Sequence, residues 1–197
     1  LSAHPLDPYY MEITYGCNTT CEDFKDAERA GNKVTMAGLV TKVSTKMSRK
    51  GTEFSIIELE DFSGKAEIRL FGRNHQTLRE KFREGEPVYL KISYMESRFN
   101  PDRIDVSFDE IHPLEDMKGK IANAIMLFID MQYKDKDFFQ SITGIKDKSR
   151  PGDLYIDLVD SGKKCNVRVH ARKKIPLNKE LVDLLENNGI RFKMATI

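Results

Sequence analysis

The chain has 197 residues with 32 Lys+Arg against 31 Asp+Glu, a formal net charge of +1, and 40% hydrophobic side chains. That length fits one large or two small domains with a real core and argues against long disordered tails or a fibrous architecture. No apolar run reaches the roughly 18 residues a membrane span needs, the longest being Ile121–Ile129 with Asn123 inside it, so a soluble, cytoplasmic protein without a membrane partner is expected. The near-zero charge hides a split. Residues 1–117 hold 16 basic and 21 acidic groups, whereas residues 118–197 hold 16 and 10, the mark of two units with different surfaces. Three cysteines, Cys17, Cys21 and Cys165, form an odd set with no secretory signal ahead of them, which points to a reducing compartment. Cys17 and Cys21 have the spacing of half a zinc site, but no second Cys or His pair stands at zinc-finger distance, so no metal is expected. A first residue of Leu rather than Met reads as a fragment or processed chain.

Residues 1–31 carry Pro5, Pro8 and Gly16 and read as a lead-in or linker, with Glu22–Arg29 a short helix or solvated stretch. From Lys33 to Met47 the pattern alternates as one long strand, followed by the basic turn Ser48-Arg49-Lys50-Gly51. Thr52–Glu60 and Lys65–Phe71 form a hairpin around Asp61-Phe62-Ser63-Gly64. Asn74–Arg83 is helical and stops at Gly85-Glu86-Pro87; strands Val88–Glu96 and Arg103–Ile111 follow, joined by a turn containing Arg98 and Phe99. Three strands, a helix and two strands are the element order of a five-stranded OB-fold β barrel, expected over residues 32–114, which binds oligonucleotides on strands 2 and 3 and through the loops joining strands 1 to 2 and 4 to 5.

The remainder, 118–197, reads as a small α+β domain: strand Ala124–Met131, helix Asp137–Ile145, strands Leu154–Val159 and Cys165–Ala171, helix Asn178–Glu186 and strand Ile190–Ala195. This βαββαβ order is the ferredoxin-like one, in which the βαβ units are split.

No catalytic constellation is legible. His4, His75, His112 and His170 are scattered, Glu58/Glu60 and Asp105/Asp109 alternate toward solvent, and no glycine-rich phosphate loop is present. The informative cluster is Lys42, Lys46, Arg49 and Lys50 at the end of the first strand and in its loop, with Arg69, Phe71 and Arg73 on or beyond the outward face of the third strand and Tyr94, Arg98 and Phe99 near the last loop. Cations that track phosphates beside aromatics that stack bases are what single-strand binding needs. Phe54 is read as core. The opposing reading is a hairpin loop kept soluble by charge, with Phe54 and Phe71 closing the core. In the second unit Lys163, Lys164, Arg168, Arg172, Lys173 and Lys174 make a basic run, but Cys165–Ala171 carries no aromatic, so Arg168, Arg172, Lys173 and Lys174 are assigned to docking a partner rather than to nucleic acid.

Three pieces carry a resemblance: LSAHPLDPY at Leu1–Tyr9; the hairpin residues Phe54, Ile57, Leu59, Asp61, Gly64, Glu67 and Phe71; and the basic stretch Thr45–Gly51. In this order, followed by a βαββαβ unit, they resemble the C-terminal region of the alpha subunits of bacterial DNA polymerase III, the C-family replicative polymerases. The resemblance implies an OB domain near single-stranded template DNA and a tail domain docking the tau subunit of the clamp loader. It also implies a catalytic palm, with Mg2+ on its aspartates, upstream of Leu1, so that the DNA-directed DNA polymerase (nucleotidyltransferase) activity belongs to the parent protein and this piece needs no cofactor. A sliding-clamp contact is not implied, because Gln132-Tyr133 and the terminal RFKMATI match a clamp motif poorly. Two other readings stay open: a stand-alone OB-fold protein-interaction module and a tRNA-binding OB domain.

Overall fold

Val34, Met36 and Val40 alternate with polar neighbours, and this period of two places them inside one long strand, β1 (Val34–Met47). The computed structural model describes residues 4–31, 33–97, 100–133, 136–146, 150–160 and 165–197, with backbone alone at 96, 97, 100–105, 136 and 165. The first half of β1 pairs antiparallel with β4 (Pro87–Ser97), from Val34 opposite Ile92 to Leu39 opposite Pro87; the second half pairs with β2 (Glu53–Glu60), ending with Met47 opposite Glu53. The handover bends the strand. Its register shifts between Val40 and Lys42, Val40 N donates to Glu86 O (3.1 Å) and Gly85 N donates to Val40 O (2.8 Å). Gly38 is needed at this point, because a Cβ there would lie 2.8 Å from Glu60 O.

β3 (Lys65–Phe71) pairs with β2 and β5 (Asn100–Pro113) with β4, giving the order β3-β2-β1-β4-β5 around a core that includes Val34, Met36, Ile57, Leu59, Leu70 and Leu90. The expected five-stranded β barrel does not close: among the described residues the outer strands β3 and β5 share no ladder. Gly72, at φ +52°, turns the chain out of β3 into helix α3 (Gly72–Leu78), and Asn74 Nδ2 donates to Val106 O of β5 at 3.1 Å. A helix and one side-chain bond thus stand where ladder hydrogen bonds would close the sheet.

The stretch read as a lead-in is built into both units. The first takes in the chain to Tyr9 together with Cys17–Lys118; the second takes in Tyr10–Gly16 together with Gly119–Ile197. Leu6, Cys21 and Phe24 are buried, Phe24 at the start of a short helix, α2 (Phe24–Arg29), after the helix α1 (Tyr10–Gly16). Asp61 ties this segment down. Its Oδ1 accepts from Ser63 N (2.8 Å), Ser63 Oγ (2.5 Å) and Gly64 N (3.1 Å), closing the β2–β3 turn, while Oδ2 accepts from Cys21 N (2.8 Å). A one-turn helix, α4 (Leu114–Met117), follows β5.

In the second unit β6 (Ala124–Asp130), helix α5 (Lys136–Gly144), β7 (Pro151–Asp160), β8 (Cys165–His170), helix α6 (Lys179–Asn187) and β10 (Arg191–Ala195) follow the expected order, with a two-residue strand β9 (Ile175–Pro176) added on β7. The sheet order is β10-β6-β7-β8. The split pairing of a ferredoxin-like sheet is therefore absent: β6 and β7 are direct parallel neighbours, Ala124 opposite Asp153 through to Asp130 opposite Val159. Element order is compatible with either pairing; which strands become neighbours is decided by long-range contacts that local periodicity does not encode. Ile125, Leu127, Phe138, Ile142, Leu181 and Leu185 form the core, and α6 is capped by Asn178, whose side chain accepts from Leu181 N at 2.9 Å. Glu12 of α1 is wholly buried and ion-paired to Arg150, and it also accepts from Gly119 N at 3.0 Å.

Candidate nucleic-acid interface

Residues directly opposite one another in a ladder share a face, so the register of β1, β2 and β3 sorts the predicted site into rows. One outward row is Lys46, Phe54 and Phe71; the next in register is Ser44, Ile56 and Arg69, in which Ile56 is buried; the third is Lys42, Glu58 and Glu67. In the first row the two phenylalanine rings are stacked, with centroids 5.0 Å apart and planes at 25°, and Phe71 is 54% exposed. Phe54, read from the sequence as core, is half-buried on this outer face instead. The strand runs Phe-Ser-Ile-Ile-Glu-Leu, and its adjacent isoleucines leave the alternation open to either phase. Ser55 is the residue that points inward, fully buried and hydrogen-bonded to His75 Nδ1 at 2.9 Å.

Beyond this row the chain makes a tight turn. Ser48 N donates to Thr52 O (2.9 Å), Gly51 N to Ser48 O (3.0 Å) and Thr52 N to Ser48 Oγ (3.1 Å), with Gly51 at φ +74°, and Arg49 and Lys50 stand exposed at the tip. Lys46, Arg49 and Lys50 make no ion pair among the described residues. Arg73, exposed in the first turn of α3, is likewise unpaired among them.

Other predicted residues are placed differently. Lys42 Nζ lies 3.7 Å from Glu58 Oε1, and the Arg69 guanidinium holds Glu67 Oε1 at 2.7 Å, so both cations are already matched by an acid on their own face. Tyr94 packs against the core with its hydroxyl buried, and burial pushes its phenol pKa up. Arg98, Phe99, Lys163 and Lys164 lie outside the described residues.

In the second unit Arg168 grips Asp157 through two bonds, Nε to Oδ1 at 2.6 Å and a terminal nitrogen to Oδ2 at 2.8 Å, which hold the Asp157 carboxyl below the usual carboxylate range. Lys174 Nζ is 3.3 Å from Asp153 Oδ2. Of the four cations assigned to docking, only Arg172 and Lys173 are exposed without an ion pair among the described residues.

Ser55, His75 and Glu53 line up, with His75 Nε2 3.8 Å from Glu53 Oε2, but the serine is wholly buried and no substrate reaches it. The bond orders α3 against β2. Among the described residues no group of three or more His, Cys, Asp or Glu is placed to hold a metal ion. No helix among the described residues is long and apolar enough to cross a membrane.

Fold and site together define a pair of sheet-based units, the first presenting a cation-flanked aromatic row at the end of a bent sheet. No family model matches the chain. It is similar to alpha subunits of DNA polymerase III. That of Pasteurella multocida (strain Pm70) is 21% identical over 202 residues, covering 100% of this chain. That of Aquifex aeolicus (strain VF5) is 20% identical over 196 residues, covering 97%, and that of Escherichia coli (strain K12) is 35% identical over 72 residues, covering 36%. The chain spans 17%, 16% and 6% of these three proteins, respectively. The resemblance carried by the hairpin motif thus extends across the chain, which is similar to a segment of the bacterial DNA polymerase III alpha subunit.

Proposed function

We propose that this chain is a non-catalytic part of a replicative DNA polymerase and that its first unit is an OB-type module that holds single-stranded DNA. The observation that carries the proposal is the row Lys46, Phe54 and Phe71, with a stacked and half-exposed ring pair beside unpaired cations. Lys46, Arg49, Lys50 and Arg73 neutralise phosphates, and Phe71 supplies a face for a base. The OB reading is supported by the bent β1 shared between β2 and β4, by the helix α3 between β3 and β4, and by the position of the row on strands 2 and 3 beside the first loop. The similarity to polymerase alpha subunits favours DNA over RNA as the strand. A protein-interaction module would leave the cations and the ring pair without a nucleotide to meet.

Fluorescence anisotropy of a labelled oligothymidine with the full chain at low salt tests the proposal. Saturable binding that weakens on reversing Arg49 and Lys50 to Glu is expected. No binding, or binding indifferent to those reversals, overturns it.

A further inference from the structure

The second unit has an open sheet face that its sequence did not announce. On β6 the buried Ile125, Leu127 and Ile129 point to the core, which leaves Met126 and Phe128 on the opposite face. Register adds Lys193 opposite Met126 and Arg191 opposite Phe128 from β10, Tyr155 and Asp157 from β7, and Arg168 and His170 from β8. Two aromatic rings therefore sit on the two inner strands: Phe128, with the Arg191 guanidinium 5.9 Å from its centroid, and Tyr155, stacked on His170 at 4.4 Å and 10°. They are diagonal neighbours, roughly 8 Å apart from strand spacing and rise, the scale of one nucleotide step.

Charge selects the occupant. Asp157 is held by Arg168, Asp153 by His170 (3.3 Å) and Lys174 (3.3 Å), and Asp130 at the strand end accepts from Gln132 N at 2.8 Å. Arg191 and Lys193, exposed on the edge strand β10, make no ion pair among the described residues. Asp153 and Asp157 are thus each matched by a cation, and Arg191 and Lys193, neither in an ion pair among the described residues, line one border of a half-buried aromatic floor. A protein partner of the stable kind favours an apolar centre depleted of charge; here each apolar side chain has a charged neighbour. A strand of bases with phosphates at its border matches both halves of the pattern.

We infer that this face is a second single-stranded nucleic-acid contact, separate from the first unit's, with phosphates on Arg191 and Lys193 and bases against Phe128 and Tyr155. The sequence pointed away from it because the β8 segment has no aromatic; the rings come from β6 and β7.

The chain has no Trp, so Phe128→Trp places a sole indole at the contact. Titrating the full chain with oligothymidine at low salt is expected to quench that emission saturably. Arg191→Glu with Lys193→Glu should weaken the quenching phase about tenfold and flatten its salt slope by about 1.4, two phosphates at roughly 0.7 each. Reversal of Lys46, Arg49 and Lys50 should leave it in place, which separates this contact from the first unit's. Absence of quenching, quenching indifferent to the β10 reversals, or quenching abolished by the first-unit reversals overturns the inference. So does displacement of the oligonucleotide by poly-glutamate at equal charge concentration, since the face would then read acidic polypeptide. If the indole variant fails to fold, amide shifts of the unaltered chain decide: changes on β6, β7 and β10 support the contact, and changes confined to β1–β3 refute it.

Discussion

Replacing Phe71 by Ala separates stacking from charge. The ring is 54% exposed and its packing partner is Phe54, 5.0 Å away, so the fold loses about 0.5–1.5 kcal/mol of ring-pair contact and stays intact. A base that stacks on the ring contributes about 1–3 kcal/mol, which at about 1.4 kcal/mol per decade is a roughly 5- to 150-fold rise in Kd for single-stranded DNA. Because Phe71 carries no charge, the salt slope of binding should not move. Anisotropy titrations at several salt concentrations, with a thermal melt in parallel, read all three quantities. Phe71→Tyr should restore most of the affinity, and Arg69→Ala, whose guanidinium is committed to Glu67 at 2.7 Å, should cost less than fivefold. Unchanged affinity in a folded Phe71→Ala chain refutes the stacking role.

Two further outcomes concern buried polar groups. Tyr94→Phe removes a hydroxyl that is buried with no hydrogen-bond partner among the described residues. It should stabilise the first unit by about 1 kcal/mol in urea unfolding and leave DNA affinity unchanged, whereas a loss of affinity means that Tyr94 meets the DNA after all. Glu12→Ala leaves the Arg150 guanidinium, only 9% exposed, with the carbonyls of Ile121 (2.9 Å) and Ala122 (3.1 Å) as its partners among the described residues. Removing one partner of a buried pair costs about 3–5 kcal/mol, read as a lower unfolding midpoint for the second unit; a loss under about 1 kcal/mol contradicts the pairing.

Strand periodicity located every long strand within a few residues, because alternation against a one-sided core is a local signal. What it left open depended on partners far along the chain. Phe54 was misplaced because Ile56 and Ile57 support two phases, and only pairing with Phe71 chooses between them. Helix α1 was missed because its buried Glu12 looks like a surface residue until Arg150, far along the chain, is brought to it. The direct β6–β7 pairing and the β3–β5 gap are long-range outcomes of the same kind. Within the site, the basic loop at Arg49 and Lys50 was legible as a turn with charge at its tip. That Arg69 and Arg168 are spent on Glu67 and Asp157 was only half legible: Glu67 shares the face of Arg69 by strand alternation, whereas Asp157 meets Arg168 through register alone.

The salt dependence of single-stranded DNA binding, compared between the unaltered chain and one carrying Lys46→Glu, Arg49→Glu and Lys50→Glu, tests the central claim most directly. Three phosphates at roughly 0.7 each predict that the plot of log K against log salt flattens by about 2 on reversal, with weaker binding at low salt. An unchanged slope and affinity in a folded variant contradicts the assignment of this loop to the phosphate backbone.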